Sequence, residues 1–202
     1  MSQIWIYSHD LKSKHIIESD VKIKTYDCIT PQKTTFEIVK TDDIAENDII
    51  LIKDDKLFIG IIDEITQKDT TEIALYPLEH IFDNELEIGK LTGETDIVTY
   101  LQTQITNNFV NTDDYLMKLP FVFENNLSKS VVYKTIIDSS NLLDIINNIY
   151  LNTGIYLDYE PVYTDGVLSN IKIVFINVDE NDVRYIRFDN PQMWGLQVVR
   201  ES

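Results

Sequence analysis

Asn47–Thr66 reads NDIILIKDDKLFIGIIDEIT, and how its two apolar runs are covered decides the fold. Ile49, Ile50, Leu51 and Ile52 form the first run, and Leu57, Phe58, Ile59, Ile61 and Ile62 the second. Lys53-Asp54-Asp55-Lys56 between them is a natural turn, so the stretch predicts a β-hairpin. Successive strand residues point to opposite faces, and a hairpin with one wet face alternates apolar and polar side chains. Here nearly every position is apolar, so both faces need cover. Counting by twos, Phe58 and Ile62 share one face while Leu57, Ile59 and Ile61 share the other.

Around the hairpin, from residue 3 to about 88, lie further short runs rich in Ile, Val, Thr, Phe and Tyr: QIWIYS, DVKIKTY, TTFEIVK, TEIALYP and ELEIG. Some alternate: Val21 and Ile23 oppose Lys22 and Lys24, and Ile73 and Leu75 oppose Glu72 and Ala74, which gives those strands one wet face. Many short strands with polar corners predict a small barrel or sandwich, a form that limits exposed edges. The period changes at Thr95. Thr95 can cap a helix carrying Ile97, Tyr100, Leu101 and Ile105 and ending near Asn107-Asn108. A second helix is written in DSSNLLDIINNIYLNTG, where Leu142, Ile145, Ile146 and Ile149 form a stripe, Ser139 or Ser140 can cap it and Gly154 ends it. Strands return in GIYLDYEPV, NIKIVFINV and VRYIRFD, the last two joined by the corner DENDV. The expected fold class is mainly β with α+β: a β-barrel-like domain over residues 1–92, then over residues 93–202 a second sheet domain carrying two helices, near 95–108 and 140–152.

The chain has 202 residues, 44% of them hydrophobic, enough to bury one large core or two small ones. No apolar run approaches the roughly 20 residues needed to span a bilayer, and MSQIWIYSHDLKSKH lacks the pattern of a secretory signal. Synthesis in the cytoplasm, without stable membrane insertion, is therefore expected. Thirty-four acids against seventeen bases leave a net charge of -17, with the excess spread along the chain. Affinity for a phosphate backbone comes mainly from Lys and Arg, so direct nucleic-acid binding is not expected.

The residue types that carry chemistry are present, but not in patterns that require it. Asp63-Glu64 and Asp113-Asp114 are neighbours of the kind that 34 carboxylates produce by chance, whereas acid-base work needs two carboxylates in contrasting environments across a cleft. His9, His15 and His80 form no pair at zinc-ligand spacing, and Cys28 is the single cysteine, read as a small apolar side chain. Asp179, Glu180 and Asp182 lack the glycine and distal Glu of a calcium loop. There is no glycine-rich phosphate loop, no G-x-S-x-G elbow and no dinucleotide fingerprint. No catalytic, cofactor-binding or metal residue is therefore assigned, and the chain is read as a non-enzyme.

The order of elements resembles the N-terminal part of the tail hub, or tail-associated baseplate, proteins of bacteriophages. In that family a line of the form D-I-I-x-I…x-x-G-I-I-x-x-I precedes a strand that runs into L-x-x-I-x-D, then a helix, an N-x-D-D loop, a second helix and G-I-x-L-D-Y. The corresponding stretches are NDIILIKDDKLFIGIIDEI, ALYPLEHIFDNELEI, DIVTYLQTQITNNFVNTDDYL and LLDIINNIYLNTGIYLDYEP, spanning Asp48 to Pro161. The resemblance implies a virion structural protein at the tail tip: a homo-oligomer, typically a trimer, that closes the tail tube, docks on the distal tail protein and carries other tip proteins. The chain is short for the family, which implies a hub core or part of a longer hub. It also implies that one face of the hairpin fills a barrel while the other meets a helix of the second half or a neighbouring subunit. An acidic lining would suit a channel that passes DNA without holding it. Two other classes compete: an adhesin or carbohydrate-binding module, which needs an exposed aromatic cleft, and a small hydrolase, which needs a concave site with a shifted carboxylate or histidine.

Overall fold

The computed structural model describes residues 2–12, 14–19, 32–41, 43–53, 57–91, 94–132 and 139–178. Six strands form the first sheet: β1 (Ser2–Tyr7), β2 (Lys14–Ser19), β3 (Thr34–Val39), β4 (Ile49–Lys53), β5 (Leu57–Gln67) and β6 (Thr70–Pro77). Their spatial order is β2-β1-β4-β5-β6-β3, every pair is antiparallel, and the sheet curls into a half-barrel. The expected hairpin is β4–β5, with Ile50 opposite Gly60 and Ile52 opposite Phe58. β2 falls in KHIIES, which the run-by-run reading passed over, while the expected strand around Val21 and Ile23 lies outside the described residues.

The two faces of the hairpin separate as the period of two requires. Ile50, Ile52 and Ile62 join Ile4, Ile6, Ile38, Ile73 and Leu75 in one apolar cluster inside the half-barrel, with Phe58 against it. Ile49, Leu51, Ile59 and Ile61 belong to a second, larger cluster built mostly by the other half of the chain. Gly60 stands where a Cβ would lie 2.6 Å from both the Phe58 ring and the Tyr76 carbonyl, so only glycine lets that ring cross the sheet. Asp63 is an extra residue in β5: Ile62 pairs with Leu75 and Glu64 with Ala74, a β-bulge that brings Ile65 back to the face of Ile62.

A single 3-10 turn, Leu78–Phe82, follows β6 directly and buries Leu78, Ile81 and Phe82 in the larger cluster. ELEIG, expected as a strand, is instead a crossing segment with an isolated bridge from Glu85 to Asn141. Helix α1 (Ile97–Ile105) is capped one residue later than expected, by Asp96, whose carboxylate accepts the Thr99 N–H at 2.9 Å. The helix runs on through a π turn, Thr106–Val110, which sinks Phe109 edge-on against Phe82 at 5.0 Å. Helix α2 (Leu142–Thr153) buries Leu142, Ile145, Ile146 and Ile149 as expected; its cap is Asn141 rather than a serine, and Gly154 at φ 73° ends it.

The second sheet has three strands in the order β7-β9-β8: β7 (Phe121–Asn125), β8 (Ile155–Thr164) and β9 (Val167–Asn177). β7 is parallel to β9, β8 antiparallel to it, and the β8–β9 corner is Asp165-Gly166, both at positive φ, as a two-residue hairpin turn demands. Lys172 on β9 reaches Glu124 on β7 at 2.7 Å and Glu160 on β8 at 2.8 Å, tying all three strands. The corner DENDV and the expected strand VRYIRFD lie outside the described residues.

The outer face of the hairpin is thus covered from within the chain. Ile49 and Leu51 are fully buried and Ile59 and Ile61 nearly so, in the cluster that also holds Leu101, Ile145, Ile149 and Phe175. Of the two covers expected for this face, the second half of the chain supplies the one over Ile49, Leu51, Ile59 and Ile61, while Leu57 at the start of β5 stays 42% exposed. No helix among the described residues is long and apolar enough to cross a membrane.

Candidate functional site

The residues singled out for possible chemistry are dispersed. His9 sits just after β1 and is 5% exposed. Its ring Nδ1 lies 2.9 Å from the Asn47 carbonyl, which can only accept, so this nitrogen carries the proton. The His9 backbone N–H donates to Asp48 Oδ1 at 3.2 Å, and Asp48 Oδ2 accepts the Ala45 N–H at 2.9 Å. Asn47 adopts φ 70° and donates its N–H to the Ile62 carbonyl at 2.8 Å. Together these bonds latch the 45–48 corner between β1 and the bulge in β5, a structural use of a histidine and a carboxylate. Burial raises the Asp48 carboxyl above its ordinary value.

His15 lies on β2 opposite Ile6, and His80 lies on the 3-10 turn, its ring stacked on Tyr76 at 3.9 Å. Asp63, the bulged residue, and Glu64 beside it share Lys33, at 2.8 and 3.1 Å. Asp114 folds its own loop, accepting the Leu116 N–H at 3.0 Å while its N–H donates to Thr112. Among the described residues no group of three or more His, Cys, Asp and Glu is placed to hold a metal. Cys28, Asp179, Glu180 and Asp182 lie outside the described residues.

What the structure does bring together is the seam between the two sheets. Asp83 Oδ1 accepts from Asn141 Nδ2 at 2.7 Å, the Leu86 N–H donates to the Ser140 carbonyl at 2.7 Å, and Tyr100 Oη donates to the Gly89 carbonyl at 2.6 Å. The crossing segment 83–89 is therefore stitched to both helices. Burial pushes the Tyr100 hydroxyl up to about 12. Burial also pushes the Glu79 carboxyl, on the 3-10 turn, up to about 7, with the Asp158 carboxylate of β8 adding in the same direction.

Shallow clefts open on the surface, among them two formed by described residues. One is lined by Lys33, Thr35, Glu64, Thr66, Glu72 and Ala74 on the outer side of β3, β5 and β6. The other, of about 230 Å³, lies between the bulge, the 3-10 turn and Leu116-Met117. Tyr115 and Leu116 beside it are 60% and 56% exposed; the Tyr115 ring lies 5.5 Å from the His9 ring, and the Leu116 N–H donates to Asp114. Sequence reasoning overlooked this knuckle, although YL directly after the turn-forming TDD carried the signal.

No protein-family model matches the chain, and no curated protein matches it. Among solved structures it is similar to the prophage tail protein gp18 from Listeria monocytogenes EGD-e, at 11% identity and a TM-score of 0.47, over 87% of this chain and 50% of that one. It is similar also to the E. coli c3393 protein, a component of the type VI secretion system described as structurally similar to T4 bacteriophage tail proteins gp27 and gp5: 9% identity, TM-score 0.47, 86% of this chain and 45% of that one. A third is a tail protein from Neisseria meningitidis MC58, at 14% identity and TM-score 0.46, over 85% of this chain and 50% of that one. The chain spans about half the length of each, and at TM-scores below 0.5 these likenesses carry no argument about function.

Proposed function

We propose that the chain is a structural, non-enzymatic subunit of a phage or phage-like tail tip, a hub component that assembles as a trimeric ring, closes the tail tube and docks the distal tail protein and other tip proteins. One observation carries the reading: the stretches that give the chain its resemblance to tail hub proteins are the ones that build the seam. The D-I-I-x-I…G-I-I line supplies Ile49, Ile59 and Ile61, the L-x-x-I-x-D turn supplies Leu78 and Ile81, and the second helix supplies Leu142, Ile145 and Ile149, all in one apolar cluster. Much of a pattern scattered over more than a hundred residues thus meets in the one cluster that joins the half-barrel to the helix-bearing sheet, while its Ile50, Ile52 and Ile62 fill the half-barrel itself.

On this reading residues 1–92 are the hub barrel domain and 93–202 the α+β domain, and the protein acts in the virion tail tip after synthesis in the host cytoplasm. The net charge of -17 supports a lining that lets DNA pass, since phosphates are repelled rather than held. Neither surface cleft is walled by Tyr, Phe or Trp, so the carbohydrate-binding alternative has no aromatic platform in either. Negative-stain imaging of the purified chain, alone and mixed with a distal tail protein, tests the proposal. Closed rings, or rings stacked on the distal-tail ring, are expected; dispersed single particles in both samples would overturn it.

A further inference from the structure

We infer that Asp165 is a site of spontaneous backbone modification: its side chain closes onto the Gly166 nitrogen to form a succinimide, which reopens as isoaspartate and lengthens the β8–β9 turn by one methylene. The inference is independent of the tail-tip reading. Asp165-Gly166 is the single Asp-Gly of the sequence, which contains no Asn-Gly. Glycine hinders such a ring closure least, because it places no Cβ beside the attacking nitrogen.

The structure leaves both reacting groups free. The ladder of the hairpin ends where Thr164 pairs with Val167, so the Gly166 N–H lies outside it and has no acceptor among the described residues. Asp165 is exposed, and its carboxylate has no hydrogen-bond or ion-pair partner among those residues. Other aspartates are held. Asp48 and Asp96 accept backbone N–H groups, Asp114 accepts the Leu116 N–H, and Asp158 Oδ1 accepts the N–H of its own successor, Tyr159, at 2.9 Å. A Cβ built on Gly166 would meet nothing within 4 Å, so the space beside the attacking nitrogen is open. Asp165 also stands at φ 51°, in the left-handed region that costs a side-chain-bearing residue energy, so no deep conformational well opposes the rotation that ring closure needs.

The Gly166 nitrogen attacks Asp165 Cγ, a C–N bond replaces the C–OH bond, and the carboxyl OH leaves with the amide hydrogen as water. Water then adds to one of the two ring carbonyls. Addition at Cγ restores aspartate. Addition at the backbone carbonyl carbon leaves the chain running through Cβ and Cγ, with a carboxylate on Cα. The two steps need no reactant besides water and leave the mass unchanged. A two-residue turn fits its strands only at its own length, so the added methylene breaks the pairing of Thr164 with Val167. Deeper in the hairpin, Ser169 Oγ donates to the Val162 carbonyl at 3.1 Å and Asn170 Nδ2 to the Pro120 carbonyl at 3.2 Å, so the loosening stops at the tip.

The test is prolonged incubation of the full chain at mildly acidic pH in water enriched in heavy oxygen, followed by proteolysis and electron-transfer fragmentation, which distinguishes isoaspartyl from aspartyl backbones. Isoaspartate should accumulate at position 165 several-fold faster than at any other aspartate, carrying heavy oxygen from the water. Asp165→Glu should abolish it, because the longer side chain closes a larger and slower-forming ring. Asp165→Asn should reach the same isoaspartate faster than the parent, releasing ammonia in place of water. In the aged chain, amide exchange should quicken at Val167 and stay unchanged at Ile171. Absence of isoaspartate at 165, or equal amounts at other aspartates, would overturn the inference. So would an Asp165→Asn chain that stays intact, because the turn would then be holding the side chain and the Gly166 nitrogen apart.

Discussion

At the scale of single residues, the structure depends on a few side chains placed where no other would serve. Gly60 is one. A methyl group there would press on the Tyr76 carbonyl, which cannot move without breaking the β5–β6 ladder, so Gly60→Ala should cost about 1–3 kcal/mol, read as a lowered denaturant midpoint at unchanged slope. Glu79 is another. Its carboxyl is pushed up to about 7, so between the unfolded carboxylate range, about 4.5, and 7 the folded chain binds more protons than the unfolded one. The contribution is therefore fully present below about pH 4.5 and is lost as the pH rises through 7. Melts from about pH 5 to about pH 8 should show a stability decline that Glu79→Gln flattens, with the variant gaining on the order of 1–3 kcal/mol at the upper end. A variant that follows the parent across that range would show that Glu79 titrates in water like an ordinary carboxylate.

At the scale of elements, the hairpin and the second helix carry the argument. Phe58 and Ile59 belong to opposite faces of β5, and both faces are covered from within the chain, so Phe58→Ser and Ile59→Ser should each destabilise folding by about 2–4 kcal/mol in thermal melts. A variant of either residue that stays as stable as the parent but loses assembly would restore the hairpin as an interface. In α2, Ile146→Asp buries an unpaired carboxylate and should unfold or severely weaken the chain, while Leu151→Asp, at a site 64% exposed, should change the melt little. Much of this was legible: an uninterrupted aliphatic hairpin needs two covers, and the Leu142–Ile149 stripe has a helix period. The caps shifted by a residue or two because Asp96 and Asn141 compete well with Thr95, Ser139 and Ser140 for the same orphan N–H groups. β7 was missed because FVFEN is short, only partly buried, and stabilised by parallel pairing with a strand some fifty residues away, which no local pattern announces. The Asp165-Gly166 turn, by contrast, was visible as a dipeptide and was overlooked. The bulge at Asp63 left a trace too: Ile65 falls out of phase with Ile62 unless one residue is inserted.

At the scale of the whole molecule, a half-barrel and a three-stranded sheet share one apolar cluster, and the segment between them is bonded to both helices rather than running free. Such a block suits a part that must hold its shape under load while presenting its remaining surface to neighbours. The sequence could show that the hairpin needed covers, but which cover came from where was a matter of contacts distant in the chain, and periodicity is silent on those. The central claim is that this block is a ring-forming subunit. Sedimentation equilibrium of the unmodified chain over a wide concentration range tests it most directly: the account predicts a species of three times the 23.5 kDa chain mass, and a chain that stays at 23.5 kDa at every concentration would contradict it.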